Sequence, residues 1–296
     1  MQSKFILIAG GTGLIGKRLA DYLFEKGYNI GVLTRNPIAS NHYYWNPEKN
    51  EIDTSVLEKV THLVNLTGES IASQRWSVKR KEVLVDSRIK PIAFLYSYVS
   101  QMTRLQHFIS ASGVTCFDVT NENKIFVESD PFGVDFLSKV VQQWEKKADL
   151  FQSHCLVSKV RISPVLDSKG GIIHTMKKPI LLGLGSSLGS GNQWMPWIHQ
   201  KDLSALFYHI ITQQLEGVFH AVASNNTNKE FTSTLAKVLN RKIVLPNLPK
   251  PMAKILFGEM ATLLLDGVQI SNSKIIDSGF VFQFDDLESA LYQVVG

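Results

Sequence analysis

The sequence predicts an α/β protein, a doubly wound parallel sheet followed by a small helical region at its C-terminal end. Three observations carry that expectation. Short apolar runs rich in Val and Ile alternate with longer segments of helical period, the pattern of parallel strands joined by crossover helices. A glycine-rich string, Gly10 to Gly16, separates the first such run from the first such segment. Near the end, Pro246, Pro249 and Pro251 fall within Leu245 to Pro251 and block both helix and interior strand there.

In chain order, the apolar run Phe5 to Ala9 reads as the first strand, and about Leu14 to Lys26 as the helix that the glycine turn leads into. Asn29 to Thr34 is the next strand. His62 to Leu66 is another, feeding a helix from about Val78 to Gln101. His107 to Ser110 is a strand that precedes a loop and a helix over Asp135 to Leu150. Leu156 to Ile162 reads as a strand, Lys201 to Gln213 as a helix, and Val218 to Val222 as the last central strand. The chain thus divides into a sheet domain over 1–222, a connecting helix and strand over 223–245, and a small C-terminal domain over 246–296. Within the last, Met252 to Val268 reads as one amphipathic helix, Ser278-Gly279 as a turn, and about Asp285 to Val294 as a terminal helix. So short a segment cannot build a large core of its own, so it is expected to pack on the main body as a cap over the substrate region.

Bulk composition excludes several classes. A 296-residue chain that is 44% hydrophobic and 19% charged can bury one large core. The apolar stretch Met252 to Val268 contains Lys254, Glu259 and Asp266, so spanning a bilayer would bury charge and no membrane partner is expected. Met1-Gln2-Ser3-Lys4 runs straight into the first strand without the features of a secretion signal, which points to a cytoplasmic protein. Cys116 and Cys155 are too few for a disulfide framework or a zinc site and read as core or cleft thiols. The net charge of +5 comes from dispersed basic residues, so no nucleic-acid partner is expected. The densest cluster, Lys79-Arg80-Lys81, reads as the solvated first turn of a helix. No two of the eight histidines stand three or four apart, and no metal site is expected.

The glycine string has the context that makes such a motif informative, a strand before it and an amphipathic helix after it. Gly10 permits the tight turn, Gly13 lets a pyrophosphate approach the backbone, and Gly16 lets helix and strand pack closely. Free N–H groups at the helix start then face the phosphates. Gly10, Thr12, Gly13, Leu14, Ile15 and Gly16 are therefore the expected dinucleotide contacts, and the sheet is expected to be of the Rossmann kind. An acidic residue about 20 positions further on would grip the ribose of NAD. None is present, and the second strand ends Val32-Leu33-Thr34-Arg35. Arg35, with Thr34 beside it, can meet the 2′-phosphate of NADP and stack on adenine. At ~4 Å and an effective dielectric of ~20, one such charge pair is worth ~4 kcal/mol before solvent screening. NADP is the expected cofactor, ahead of NAD.

Longer strings carry a resemblance. Asn65-Leu66-Thr67-Gly68-Glu69-Ser70-Ile71 is followed by Arg75-Trp76 and Asp86-Ser87-Arg88, and later by Ser110-Ala111-Ser112, Gly189 to Trp194 and Trp197-Ile198-His199-Gln200-Lys201-Asp202. With the glycine loop in register, the chain resembles the extended short-chain dehydrogenase/reductases. It is most similar to an atypical branch of the NAD(P)-dependent epimerase/dehydratase family, whose members are called epimerase family proteins or cell-division-inhibitor-like. The likeness spans essentially the whole chain. It implies that Leu66 and Thr67, beside Gly68, line the adenosine side of the cofactor. It further implies that Arg88 reaches the cofactor from the following helix and that Pro164 and Val165 meet the nicotinamide.

The same resemblance marks where chemistry should sit. The superfamily moves the substrate proton with a tyrosine and a lysine four residues later, aided by a serine. Here, aligning Ser138-Lys139 with the usual Ser-Lys pair puts Asp135 where the tyrosine belongs, and Thr115-Cys116-Phe117 lacks a second tyrosine found in relatives. Ser112, Lys139 and Asp135 are thus the catalytic candidates. Trp194, Trp197 and His199 are candidates for the substrate cleft, with plain packing as the alternative for the tryptophans and a helix-start hydrogen bond for His199. The expected function is an NADP-dependent oxidoreductase or epimerase acting on a small polar molecule, with sugar derivatives among the choices. The alternative is a catalytically degenerate NADPH-binding regulatory or scaffold protein. The partner is then an unidentified small substrate, and a homodimer stays open.

Overall fold

The computed structural model describes residues 4–120 and 124–295. Strand β1 (Phe5–Ala9) leads into helix α1 (Leu14–Glu25) and returns as β2 (Asn29–Thr34). Then come β3 (His42–Asn46), β4 (Glu51–Ile52), β5 (His62–Asn65), α2 (Val78–Tyr96) and β6 (His107–Gly113). A short β7 (Ile125–Phe126) precedes α3 (Phe136–Ala148), β8 (Leu156–Ile162), β9 (Val165–Asp167) and α4 (Gly171–Leu181). The order continues with β10 (Trp194–His199), α5 (Gln200–Gln213), β11 (Gly217–Ala221), β12 (Ser224–Thr227) and α6 (Asn228–Val238). The tail holds α7 (Lys250–Phe257), α8 (Ala261–Leu265), β13 (Gln269–Ile270), α9 (Ser273–Asp277) and α10 (Leu287–Val295).

The large sheet has eight strands in the order β11-β8-β6-β5-β1-β2-β3-β4, parallel except where β4 folds back on β3. From β1 the chain steps outward to β2 on one side and later to β5, β6, β8 and β11 on the other. The switch point therefore lies between β1 and β5, where doubly wound sheets leave a ligand crevice at their carboxyl ends. Apolar residues of the central strands are buried on both faces. Ile6, Ile8 and Val64 join α1, α5, α6 and α10 in one core, while Leu7, Leu63 and Phe108 join α2 and α3 in the other. Covering both faces is why these strands read as continuous apolar runs.

Two small sheets accompany the large one, and the second of them fastens the tail. β9, β10 and β12 form one, and β7 pairs with β13 in the other, linking the segment after β6 to the C-terminal region. Asp202, the acidic residue of the Trp-Ile-His-x-x-Asp string, is buried in α5 and accepts backbone N–H groups of Gln283 and Phe284, each at 2.9 Å. Its position is thus explained by holding the tail.

Two expectations are corrected. The single helix over Met252 to Val268 is instead α7, a 3-10 turn and α8, because Gly258 adopts φ +61 and ends α7. The break lets Ala253, Ala261 and Leu265 meet in a small core. Arg80 is not solvated. Its guanidinium is buried and donates to the Ser70 carbonyl at 2.6 Å and to Ser73 Oγ at 3.0 Å, fixing the loop after β5.

Candidate functional site

The loop between β1 and α1 is shaped by what its glycines lack. Gly10 has φ +79, and a Cβ there would lie 2.8 Å from the Leu66 carbonyl. A Cβ on Gly16 would stand 2.3 Å from the Gly10 oxygen, so helix and loop touch as backbones. The Leu66 N–H in turn donates to the Ala9 carbonyl at 2.8 Å. Gly13 is the N-cap of α1 with no side-chain hydrogen bond, and no acidic residue stands in the first turn. The first N–H groups of α1 are therefore left for an outside acceptor, and the helix dipole makes a negative one favourable. A pyrophosphate fits this cradle by charge and by the bare backbone that surrounds it.

Gly10, Gly13, Leu14, Ile15, Gly16, Leu66 and Gly68 form one wall of an open cleft of about 1950 Å³. Thr12, next in the loop, is exposed rather than part of that wall. Thr34 is buried at the end of β2, its hydroxyl accepting from the Asn36 N–H at 3.2 Å, and Arg35 beyond it is exposed. Thr67 folds back, its hydroxyl donating to Asn65 Oδ1 at 2.7 Å. Pro164, Val165 and Trp194 also line the cleft, together with residues of α4 and of the segments from 245 to 270. The structure thus brings most of the expected dinucleotide contacts to one cleft.

The expected catalytic trio is not brought together. Ser112 is buried and its hydroxyl donates to Glu145 Oε1 at 2.7 Å. Glu145 is itself locked in a bidentate pair with Arg161, at 2.7 and 3.0 Å. That serine faces the interior and does not line the cleft. Asp135 does line it, but as the N-cap of α3 its carboxylate accepts from Leu137 N–H, Ser138 N–H and Ser138 Oγ. Lys139, one turn on, is exposed and lies off the cleft wall.

Other assignments shift as well. Arg88 is buried and donates to the carbonyls of Leu84 and Glu69 at 2.9 and 3.0 Å, with its guanidinium over Trp144. It braces the loop that carries Gly68 rather than lining the cleft, and burial lowers its pKa to about 10. Trp197 is wholly buried with its indole N–H on Asn226 Oδ1 at 2.8 Å, so of the two tryptophans only Trp194 faces the cleft. His199 is the N-cap of α5, accepting from Lys201 N–H through Nδ1, and its ring packs on Phe284. Burial lowers its pKa to about 4, aided by Lys201, so it stays neutral in this structural role. Neither thiol is an activated nucleophile, since burial pushes Cys116 up to about 12 and Cys155 to about 11.

The cleft also gathers residues that the sequence pattern left unremarked. His174 on α4, Thr115 just after β6 and Thr232 on α6 all line it. Thr232 is 1% exposed and its hydroxyl has no hydrogen-bond partner among the described residues. The one available signal was Gly170-Gly171 ahead of an apolar segment, obscured because Pro179 stands inside α4.

Comparison with known proteins places this geometry. Residues 6–144 match the model of the NAD dependent epimerase/dehydratase family, and residues 248–294 match a domain of unknown function, DUF1731. An epimerase family protein of Mycobacterium bovis is 34% identical, the match covering 98% of this chain and 97% of that protein. The epimerase family protein SDR39U1 of Bos taurus is 31% identical over 98% of this chain and 99% of its own length. Human SDR39U1, crystallised with NADPH, superposes with a TM-score of 0.89 at 29% identity, covering 98% of this chain and 99% of that one. The UDP-N-acetylglucosamine 4-epimerase of Bacillus cereus has a TM-score of 0.78 at 16% identity, a likeness of fold.

Proposed function

This chain belongs to the epimerase family, and on that premise we propose that it binds NADPH at the carboxyl ends of β1, β2 and β5 and interconverts a carbonyl and an alcohol. The observation that carries the reading is the uncapped start of α1, packed at Gly16 against the Gly10 backbone, which in turn touches that of Leu66. In this reading the N–H groups of α1 bind the pyrophosphate and Arg35 pairs with the 2′-phosphate. Pro164 and Val165 flank the nicotinamide. The NADPH-bound human relative supports the choice of dinucleotide. When bound, the cofactor supplies the hydride.

Proton transfer is assigned to His174. It lies on the cleft wall one turn into α4, a helix that begins against Val165, since a Cβ on Gly171 would lie 2.8 Å from the Val165 oxygen. An imidazole nitrogen can hold a proton and give it up to a developing alkoxide, which is what a carbonyl reduction needs. A second reading, cofactor binding without turnover, is favoured by the spent state of Ser112 and Asp135. Both polar groups at the family's catalytic positions are already occupied by protein partners.

Titration of the purified protein with NADPH and NADH, followed by tryptophan fluorescence on wild type and Arg35→Ala, tests the proposal. NADPH should bind more tightly than NADH. Losing a charged hydrogen bond worth ~1.5 kcal/mol should weaken NADPH roughly tenfold and leave NADH unchanged. Failure of both dinucleotides to bind overturns the reading, and binding without loss of NADPH absorbance over a carbonyl panel selects the second.

A further inference from the structure

We propose that the substrate of this cleft is an apolar, lipid-like carbonyl or alcohol rather than a nucleotide sugar, an inference that rests on the NADPH reading above. The cleft of about 1950 Å³ is roughly twice the upper end of ordinary small-ligand pockets, so a second molecule fits beside a dinucleotide. Its walls away from the glycine loop are built from Phe117, Phe136, Ile172, Met176, Trp194 and Leu264. A nucleotide sugar brings a diphosphate, which buried surroundings tolerate only beside cations or aligned N–H donors. Among the described residues, Lys254 is the sole lysine or arginine on these walls.

Most polar groups that do line the cleft are already engaged. Asn228 accepts from Leu188 N–H at 2.8 Å, and the Asn247 amide donates to the Gly189 and Ser190 carbonyls. Ser186 donates to the Pro246 carbonyl at 2.6 Å, and Glu259 is paired with Lys81. Among the groups that stay open are the unpartnered hydroxyl of Thr232 and the imidazole of His174, which suit a single oxygen. At the mouth, Leu184, Met252 and Leu256 are 61%, 51% and 50% exposed, an apolar rim of the kind that marks a binding groove on a soluble protein. A polar, sugar-derived substrate of the kind expected from the family likeness would have few open groups to bond here.

The reaction balances simply for an aldehyde. The hydride of NADPH forms a C–H bond at the carbonyl carbon, the oxygen takes a proton relayed from solvent through His174, and an alcohol and NADP⁺ leave.

Two measurements test this. On the free and the NADPH-loaded protein, Nile red fluorescence should rise on binding and be displaced by dodecanol but not by UDP-glucose. With NADPH, kcat/KM for straight-chain aldehydes from propanal to dodecanal should climb roughly fourfold per added methylene while the chain still finds wall. Met252→Glu, at a half-exposed position that folding tolerates, should weaken dodecanol at least tenfold and leave NADPH affinity unchanged. Displacement by UDP-glucose alone, or a rate independent of chain length together with an unaffected Met252→Glu, overturns the proposal. Dodecanol binding without any NADPH binding overturns the cofactor reading and leaves the apolar site standing.

Discussion

At the ends of β1 and β5 the chain leaves backbone bare, while at the ends of β6 and β8 it fills the equivalent space with side chains that bond one another. Around Gly10 and Gly16 any Cβ would strike backbone, and the α1 N-terminus is left without a protein acceptor. By contrast, Ser112 and Arg161 both donate to Glu145, where each carboxylate oxygen already has a donor. Both ends are polar and both sit on the same sheet. Polarity alone therefore does not mark a binding surface. What marks it is hydrogen-bonding capacity that the fold leaves unspent.

The two halves share a root, and acid should reach both through it. His62 on β5 and His107 on β6 are buried with ring centroids 6.1 Å apart at the opposite end of the sheet. Burial lowers both pKa values to about 4, for His62 with further repulsion from His107 and Lys4. A folded-state value below the unfolded value near 6.5 means that the unfolded chain binds protons first as pH falls. Stability is then intact above about 6.5 and is lost toward 4, on the order of 4 kcal/mol for the pair by pH 5. Urea unfolding at pH 7 and pH 5 measures the loss. Bound-cofactor fluorescence and far-ultraviolet circular dichroism should disappear in one transition, and release of the glycine-loop half first would break the comparison.

Glu145→Ala separates the halves. It leaves Arg161, 3% exposed, as a buried cation without its carboxylate, which should cost roughly 3 kcal/mol. The affinity of the folded protein for NADPH should change less than twofold, because the pair does not line the cleft. Denaturant midpoint and fluorescence titration on the same variant decide the point. A large loss of affinity with little loss of stability would place the ion pair in the binding machinery.

The contrast also explains what could be read from the sequence. The glycine loop is local, seven residues whose backbone needs are written in their order, and the strand Phe5–Ala9 and helix from Leu14 follow from periodicity just as locally. The occupancy of Ser112 depends on Glu145, 33 positions away, and no local pattern announces that pairing. Trp197 looked like a cleft residue because its string resembles one, yet strand alternation in β10 sends it inward while Trp194 faces out. β3 carries no strand signal in the sequence because its buried side chain, Trp45, stands among partly covered aromatic and polar neighbours rather than in an aliphatic run. Gly258 carried the break between α7 and α8, a signal masked by the apolar periodicity around it.

Ser112→Ala is the finest probe of the comparison. Removing the hydroxyl deletes one donor to Glu145 Oε1, while Arg161 still donates to both carboxylate oxygens. The carboxylate therefore stays satisfied, and the cost is that of one net hydrogen bond, about 1 kcal/mol in the unfolding midpoint. NADPH affinity should be unchanged, and turnover of any substrate found should fall by less than about threefold, since a merely supporting group lacks the roughly hundredfold effect of a proton-handling one. A hundredfold fall in kcat with intact stability would mean that the hydroxyl leaves Glu145 when substrate binds. The packed half would then be a site held shut by its own ion pair, and the difference between the two ends of the sheet would be one of state rather than of design.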